Sequence, residues 1–392
     1  MTRKKPSPPT PSAGYSETAK VALRATTARV REMHEAISKT SFEVLTRIPG
    51  ISGPAKAIQG AHDAIAGGVY SAIHLAGGSL LDFAGAIEKR QPASTPSASP
   101  PGRLASNLRS AINGAFGDHL AGMGSVLAID MGIYRQGIAI PLNRDALARI
   151  WPDSRRQRVC LFIHGLVCNE NCWSADDKGV DMPRQIEQDT EYTALTLRYN
   201  TGRPIAENGL QLALLLDELL AAWPHPLKEL LLIGHSMGGL LARSATEQSR
   251  DSAMAWPAKT RMIICLGSPQ LGSPVERLGH LTTTALAVSR ITRPLAKLAA
   301  NRSQGIQDLR HGPGRHDADT SEIAWRFIGG SLSEDPDNPL GTILGDGLVT
   351  PDSATAHALQ GDVASVRLGG IGHMQLLTAP RVYAQILSWL PV

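Results

Sequence analysis

The ten residues 230–239, LLLIGHSMGG, constrain the fold of this chain more than any other stretch. An apolar run of strand length leads directly into a turn that carries Ser236 between Gly234 and Gly238, and helix-forming residues follow. In the G-x-S-x-G pattern the serine lies on a sharp, strained strand-to-helix turn, where glycines let the helix press back on the strand. The stretch therefore predicts a nucleophile elbow with Ser236 as the nucleophile.

Strand and helix patterns alternate through the carboxyl-terminal part of the chain. The apolar runs of strand length are 138–141, 159–163, 193–197, 229–233, 262–266, 325–330 and 364–368, the first of them a possible edge strand. Residues 209–222 and 382–390 carry apolar side chains at helical spacing. Such alternation is typical of a parallel sheet covered by helices on both faces. We therefore expect an α/β fold with a mostly parallel central sheet and a catalytic core at 125–392.

The amino-terminal hundred or so residues have a different composition. Residues 91–103, QPASTPSASPPGR, predict a Pro/Ser/Ala linker, and residues 1–15 predict a disordered tail. Between them, 16–90 is expected to form a helical N-terminal region, an appendage to the catalytic domain 104–392. That domain is expected to open with an amphipathic helix at 104–124, marked by Leu104, Leu108, Ile112, Phe116, Leu120 and Leu127.

Within the N-terminal region, residues 64–81 contain only one side chain, His74, that carries charge near neutral pH. The length approaches that of a membrane span, but paired glycines lower both helicity and hydrophobicity. Our first interpretation is a helix packed in a hairpin or in a self-associated oligomer. Attachment to a lipid surface is the second interpretation, and a true span is the third.

Charge and cysteine content exclude several classes of protein. The net charge of +4 over 392 residues is mild, and no RNA-binding signature or zinc-finger spacing is present, so we expect no nucleic-acid partner. No apolar segment follows the charged start of the chain, and four cysteines do not make a disulfide framework. We therefore expect a cytoplasmic protein, with peripheral membrane association left open. Cys168 and Cys172 are expected to be free thiols rather than a disulfide or a metal site.

A serine hydroxyl needs a base to become nucleophilic, and that base needs an orienting acid. In this arrangement the chain order is serine, acid, histidine. Beyond the 325–330 strand the candidate bases are His357 and His373. His373 follows the last predicted strand in a glycine-rich loop, where its imidazole can reach the carboxyl edge of the sheet. We predict His373 as the base and interpret His357 as a surface residue.

The acid should lie between the 325–330 strand and His373, where five aspartates compete: Asp335, Asp337, Asp346, Asp352 and Asp362. Asp346 is flanked by two glycines, which permit a tight turn that presents a carboxylate. We predict Asp346 as the acid. Asp352 is the main rival, with a helix cap of the segment 353–359 as its alternative role.

Acyl transfer also needs amide donors for the developing oxyanion, worth roughly 3 kcal/mol each. The first predicted donor is the N–H of Met237, directly after the nucleophile, at the positive end of the following helix. The second is the N–H of Leu166, in the loop after an early strand. His164 in the same loop is expected to be structural, because it precedes the serine in the chain.

With these residues in order, the last 270 or so positions resemble the lipase and esterase branch of the α/β-hydrolase superfamily. The resemblance rests on HG at 164–165, GHSMGG at 234–239, GSPQLGSP at 267–274, GDGLV at 345–349 and GHMQLL at 372–377. Bacterial lipases and the GPI inositol-deacylase-like hydrolases share this series. The resemblance implies Ser236, Asp346 and His373 as a catalytic triad, and the turn at 198–202 is similar to one in bacterial members.

Residues 275–322 do not fit the strand and helix alternation. The resemblance suggests that they form a helical lid over the acyl pocket. A metal cluster of His311, His316, Asp317 and Asp319 is a weaker interpretation than a solvated loop, because the spacing is irregular. We expect no metal and no cofactor.

The expected function is a serine carboxylic-ester hydrolase that acts through an acyl-enzyme on a small-molecule or lipid-like ester. An acyltransferase, a thioesterase or a polyester depolymerase would use the same triad and stays an alternative. A third interpretation, of another class, is a scaffold that docks on a membrane or granule and keeps a vestigial hydrolase domain.

Overall fold

The computed structural model describes residues 103–122, 124–125, 127–153, 156–175, 179–252, 254–272, 303–311, 323–355 and 361–390. All of them belong to one compact unit that spans residues 100–392. The expectations for the tail, for the N-terminal helical region, for the linker up to residue 102 and for His357 lie outside the described residues. So do those for His316, Asp317, Asp319 and most of the predicted lid.

Eight strands form a single sheet in the described part of the chain. They are β1 (Gly132–Arg135), β2 (Ile138–Ala139), β3 (Arg158–Ile163), β4 (Tyr192–Arg198), β5 (Glu229–His235), β6 (Thr260–Leu266), β7 (Ala324–Ser331) and β8 (Val363–Gly369). Their order is β2-β1-β4-β3-β5-β6-β7-β8, and all pairs except β2-β1 and β1-β4 are parallel. The expected mostly parallel sheet is confirmed, and the expected edge strand is the short β2.

The helices among the described residues are α1 (Arg103–Gly122), α2 (Arg144–Ile150), α3 (Met182–Asp189), α4 (Ile205–Ala222), α5 (Met237–Asp251), α6 (Gln304–His311), α7 (Pro339–Leu344), α8 (Pro351–Ala354) and α9 (Pro380–Trp389). None of them is both long and apolar enough to cross a bilayer. The helix predicted at 104–124 is present as α1, with a kink at Phe116 (φ −140°, ψ 16°). One expectation was wrong, because His311 ends a helix where a loop was expected.

The sheet is buried on both faces, because its central strands β3 and β5 contain the unbroken apolar runs 159–163 and 230–233. On one face, Leu161 and Leu232 pack in a cluster that includes Leu216 of α4. On the other face, Phe162 and Ile233 pack in a second cluster, with α3 and α9. Successive side chains of a strand point to opposite faces, so a strand covered on both sides needs an unbroken apolar run.

A third apolar cluster lies beyond the carboxyl ends of β3 and β5. It contains Leu166 and Met237, which follow those two strands, together with Ile306 and Leu309 of α6 and Ala115 of α1. We call these five residues the edge cluster. It joins α1 and α6 to the loops that leave the sheet, and it therefore surrounds the place where the sequence predicts the active site.

The central strand β5 should dominate the stability of the sheet. Replacement Leu232→Ala removes a fully buried side chain and should lower the free energy of unfolding by about 2–5 kcal/mol. The control Leu214→Ala, on the exposed face of α4 where the side chain is 55% exposed, should change it by less than about 0.5 kcal/mol. Urea denaturation measures both, and equal losses would contradict the assignment of β5 to the core.

Candidate active site

Ser236 lies at the junction of β5 and α5 with backbone angles of φ 53° and ψ −120°. A positive φ is uncommon for a residue that is not glycine and costs on the order of 1–3 kcal/mol. The Ser236 N–H donates to the carbonyl of Leu266 at 2.8 Å, at the end of the neighbouring strand β6. The predicted nucleophile therefore occupies a strained turn that the sheet holds in place.

The glycines around Ser236 are required by close backbone contacts. A Cβ on Gly234 would lie 2.5 Å from the nitrogen of Gly239. A Cβ on Gly238 would overlap the carbonyl oxygen of Ile163, the last residue of β3. The start of α5 therefore packs directly on the ends of two strands, as the sequence pattern predicts.

Asp346 and His373 form a buried pair at the same edge of the sheet. His373 follows β8, and its Nδ1 lies 2.7 Å from Oδ2 of Asp346. The other carboxylate oxygen accepts the N–H groups of Leu348 at 2.9 Å and Val349 at 2.8 Å. Because a carboxylate only accepts hydrogen bonds, Nδ1 carries the proton and Nε2 of His373 is left as the acceptor.

The structure brings Ser236, Asp346 and His373 to one edge, and all three are buried, at 1%, 3% and 3% exposure. Within the described part of the chain, Oγ of Ser236 and Nε2 of His373 are each buried without a hydrogen-bond partner. These are the two atoms that general-base catalysis would pair. Catalytic hydrogen bonds are often long or unformed before substrate binds.

The rival aspartates are engaged elsewhere. Asp352 bonds to Arg367 at 2.9 Å with its side chain 77% exposed, and Asp362 is paired with Arg326. The expected capping role of Asp352 was wrong, because Thr350 is the N-cap of α8 and Asp352 lies in the first turn of the helix.

Asp335 and Asp337 share a surface turn. Oδ1 of Asp335 accepts the N–H of Asp337 at 3.1 Å, and both residues are exposed. The contacts of the five candidate aspartates thus distinguish them, and among the five Asp346 is the one bonded to His373.

The two predicted oxyanion donors flank Ser236. Met237 is the first residue of α5, so its N–H has no acceptor within the helix. Leu166 follows Gly165, and a Cβ on Gly165 would lie 3.0 Å from Cβ of Ser236. The loop that carries Leu166 therefore packs against the serine from the β3 side.

His235 has a role that the sequence interpretation missed. Its Nε2 donates to the carbonyl of His373 at 3.0 Å, and the His373 N–H donates to the carbonyl of Asp346, also at 3.0 Å. Burial, and then the electrostatic effect of the nearby His373 ring, hold the pKa of His235 well below its usual value. His235 is therefore neutral, and its contact with His373 fixes the backbone of the predicted base. The signal was the histidine inside the GHSMGG motif.

His164 is the first residue of the loop that carries Leu166, and its ring stacks on Tyr199 with 4.5 Å between the centroids. Its Nδ1 lies 2.9 Å from the carbonyl of Gly165. Burial lowers the pKa of His164 to about 4, so the ring is neutral near pH 7. The Tyr199 hydroxyl in turn donates to the carbonyl of His164 at 2.9 Å.

The four cysteines are all free. Cys160 and Cys265 are buried in β3 and β6, as the sequence predicts, and burial raises the pKa of both thiols. Cys168 and Cys172 follow the Leu166 loop as two thiols, the interpretation that the sequence favoured over a disulfide.

The strand order and the elbow after β5 define an α/β-hydrolase fold. Residues 209–330 match a family model described as the PGAP1-like alpha/beta domain. That stretch runs from α4 to β7 and contains Ser236, whereas Asp346 and His373 lie beyond it. The chain thus has the α/β-hydrolase fold, and the resemblance expected from its sequence is confirmed. The comparison with curated proteins found no match.

Several solved structures are similar to this chain at low identity. Bacillus licheniformis lipase BlEst2 in mature form is 17% identical over 61% of this chain and 94% of its own, with a TM-score of 0.44. Naproxen esterase from Bacillus subtilis is 10% identical over 59% and 83%, with a TM-score of 0.39. RedJ-thioesterase of prodiginine biosynthesis from Streptomyces coelicolor is 14% identical over 61% and 92%, also with a TM-score of 0.39.

Burial of neutral His164 makes stability depend on pH. The unfolded chain protonates this side chain below about pH 6.5, whereas the folded pKa is about 4. The unfolded state therefore binds more protons between these values, and the free energy of unfolding falls as the pH is lowered through them.

The variant His164→Phe keeps a ring on Tyr199 and should reduce that slope by up to about 1.4 kcal/mol per pH unit. Urea denaturation at several pH values between about 7 and 4.5 measures the slope. His119→Phe, at an exposed position of α1, is the matched control and should leave the slope unchanged. Identical slopes for His164→Phe and the wild type would refute the burial argument.

Proposed function

We propose that this protein is a serine carboxylic-ester hydrolase that works through an acyl-enzyme. The observation that carries the proposal is the buried 2.7 Å contact between His373 and Asp346, at the sheet edge that bears the Ser236 elbow. The carboxylate accepts two backbone N–H groups as well, so its charge is solvated by the protein. A vestigial scaffold would have no need of such a pair.

In the proposed mechanism, Oγ of Ser236 attacks the ester carbonyl while Nε2 of His373 takes its proton. Asp346 holds the imidazole in the tautomer with Nδ1 protonated and stabilises the imidazolium that forms. The tetrahedral intermediate collapses when His373 returns the proton to the leaving alcohol. Water then repeats the sequence on the acyl-enzyme, and the acid is released with Ser236 restored.

The amides of Leu166 and Met237 would bind the oxyanion of both tetrahedral intermediates. Each such donor is worth roughly 3 kcal/mol of transition-state stabilisation. Met237 contributes from the positive end of α5, which adds to the field at the oxyanion. Both side chains are buried in the edge cluster, and that packing fixes the backbone that carries the donors.

The proposed substrate is a lipid-like or other acyl ester. The support is the edge cluster, because apolar residues of α1 and α6 pack in one cluster with the side chains of Leu166 and Met237. An acyl chain bound at the ester carbonyl would therefore meet apolar rather than charged surroundings. The proposed acceptor of the acyl group is water.

Ser236 should be the residue that an activated phosphonate labels. A fluorophosphonate probe should modify the wild type with one label per chain, and Ser236→Ala should neither be labelled nor hydrolyse p-nitrophenyl butyrate above background. Intact-protein mass spectrometry and an absorbance assay measure the two effects.

Ser252→Ala, in the exposed segment directly after α5, is the matched control and should behave as the wild type. Labelling that persists in Ser236→Ala, or that is absent from folded wild type, would refute the proposal.

The pair Asp346→Asn and Asp352→Asn separates the two candidate acids. Asparagine at 346 presents the wrong hydrogen-bonding group to Nδ1 of His373, so kcat should fall by about 10³- to 10⁴-fold. Asparagine at 352 weakens only the exposed contact with Arg367 and should leave kcat within about twofold. Steady-state kinetics decide, and the reverse ranking would move the acid to Asp352.

A further inference from the structure

Helix α1 contacts the loop that carries the proposed Leu166 donor, although it precedes the whole sheet in sequence. Gly114 of α1 faces Val167, the residue after Leu166. A Cβ on Gly114 would overlap Cγ1 of Val167 and lie 3.2 Å from its Cα. The helix therefore approaches the backbone of this loop so closely that only glycine fits.

Val167 has an unfavourable backbone conformation, with φ at 56°. A positive φ is a genuine outlier for a β-branched residue. Val167 is the third residue of a turn closed by the Cys168 N–H and the carbonyl of Gly165 at 3.3 Å. Turns with positive φ at this position normally have glycine or asparagine there. The conformation must therefore be held by the surroundings.

Two contacts hold it. Gly114 packs against the side chain of Val167, and the Val167 N–H donates to Oγ1 of Thr201 at 3.2 Å. Rotation of Val167 to a negative φ would turn its side chain away from the position that it occupies against Gly114. The turn, and with it the peptide planes on either side of Leu166, is thereby fixed.

Hydrogen bonds from neighbouring segments fix the position of α1. Nδ2 of Asn169 donates to Asn107 at 2.9 Å and to Ser110 at 3.2 Å, both on α1. The Ser303 hydroxyl donates to the carbonyl of Gly114 at 2.8 Å from the segment that leads into α6. Hydrogen bonds from two separate segments thus hold α1 in its position next to Val167.

We propose that α1 is a positioning element of the active site. Contact between Gly114 and Val167 holds the turn in its strained conformation, and the turn aims the Leu166 N–H at the developing oxyanion. This inference rests on the proposed function, which assigns that N–H to the oxyanion. Gly114 and Thr201 are positioning residues, since both act through Val167.

A misdirected Leu166 N–H would weaken binding of the transition state more than binding of the substrate. The negative charge on the carbonyl oxygen develops only as the tetrahedral intermediate forms. Loss of one donor should therefore lower kcat and leave KM nearly unchanged. Partial unfolding, by contrast, would lower the fraction of active protein and leave kcat per active site unchanged.

The test is Gly114→Ala in the full chain, with p-nitrophenyl butyrate as substrate and the active-site concentration set by fluorophosphonate titration. We expect kcat per active site to fall by about 10- to 100-fold with KM within about threefold. Gly122→Ala, at the end of the same helix where a Cβ would meet nothing within 4 Å, is the matched control and should retain wild-type kcat.

The double variant Gly114→Ala/Val167→Gly tests the direction of the effect. Glycine at 167 makes room for the new methyl group and adopts a positive φ at no steric cost. It should recover most of the lost kcat. It also removes a buried side chain, so thermal stability should fall further while kcat rises. A purely structural role of Gly114 predicts that both quantities fall together.

Thr201→Val removes the acceptor of the Val167 N–H and keeps the side-chain shape, so it tests the turn even if Gly114→Ala does not fold. It should lower kcat with KM nearly unchanged. Wild type that is neither labelled nor active would mean that the proposed function has failed. If the wild type is active, the proposed function stands and the variants test α1. A wild-type kcat in Gly114→Ala or in Thr201→Val would then overturn the positioning role of α1. So would a double variant that recovers no kcat.

Discussion

The close approach of α5 to the ends of β3 and β5 is the constraint on which the site depends. With no side chain at Gly234 or Gly238, the helix begins directly above the sheet, and the chain between strand and helix must turn within one residue. That residue is Ser236, and its positive φ is the consequence. The strain is sustained because β5 lies between β3 and β6 and the Ser236 N–H is bonded to β6. A shifted helix would lose the elbow and the amide of Met237 together.

The predicted base is the first residue of a short 3₁₀-helix, His373–Leu377, in the connection between β8 and α9. The backbone of His373 has one bond to Asp346 and one to His235, and its side chain has a second bond to Asp346. Loops are the usual place for functional residues, and their precision depends on the packing beneath them. His235 is the last residue of β5 and directly precedes Ser236. The end of β5 therefore positions both Ser236 and, through the bond from His235, His373.

The elements that the sequence predicted correctly are those with a strong local signal. Buried parallel strands need unbroken apolar runs, and glycines on both sides of Asp346 indicated a turn that presents its carboxylate. Short elements such as β1 and α2 lack that signal. The contacts of His235 with His373 and of Gly114 with Val167 join residues far apart in the chain, and one sequence does not record such pairings. Nothing in the letters 165–168 indicates that a valine has a positive φ, because its surroundings impose it.

The bond between His235 and His373 joins residues 138 positions apart, the first at the end of β5 and the second after β8. Strands β6, β7 and β8 all lie between them in sequence, so this contact cannot form until all three strands have been synthesised. During synthesis from the amino terminus, the chain can therefore build the Ser236 turn before it has the residue that we propose as its base. On that proposal, Ser236 gains its base only after β8, the last strand of the sheet, has been made.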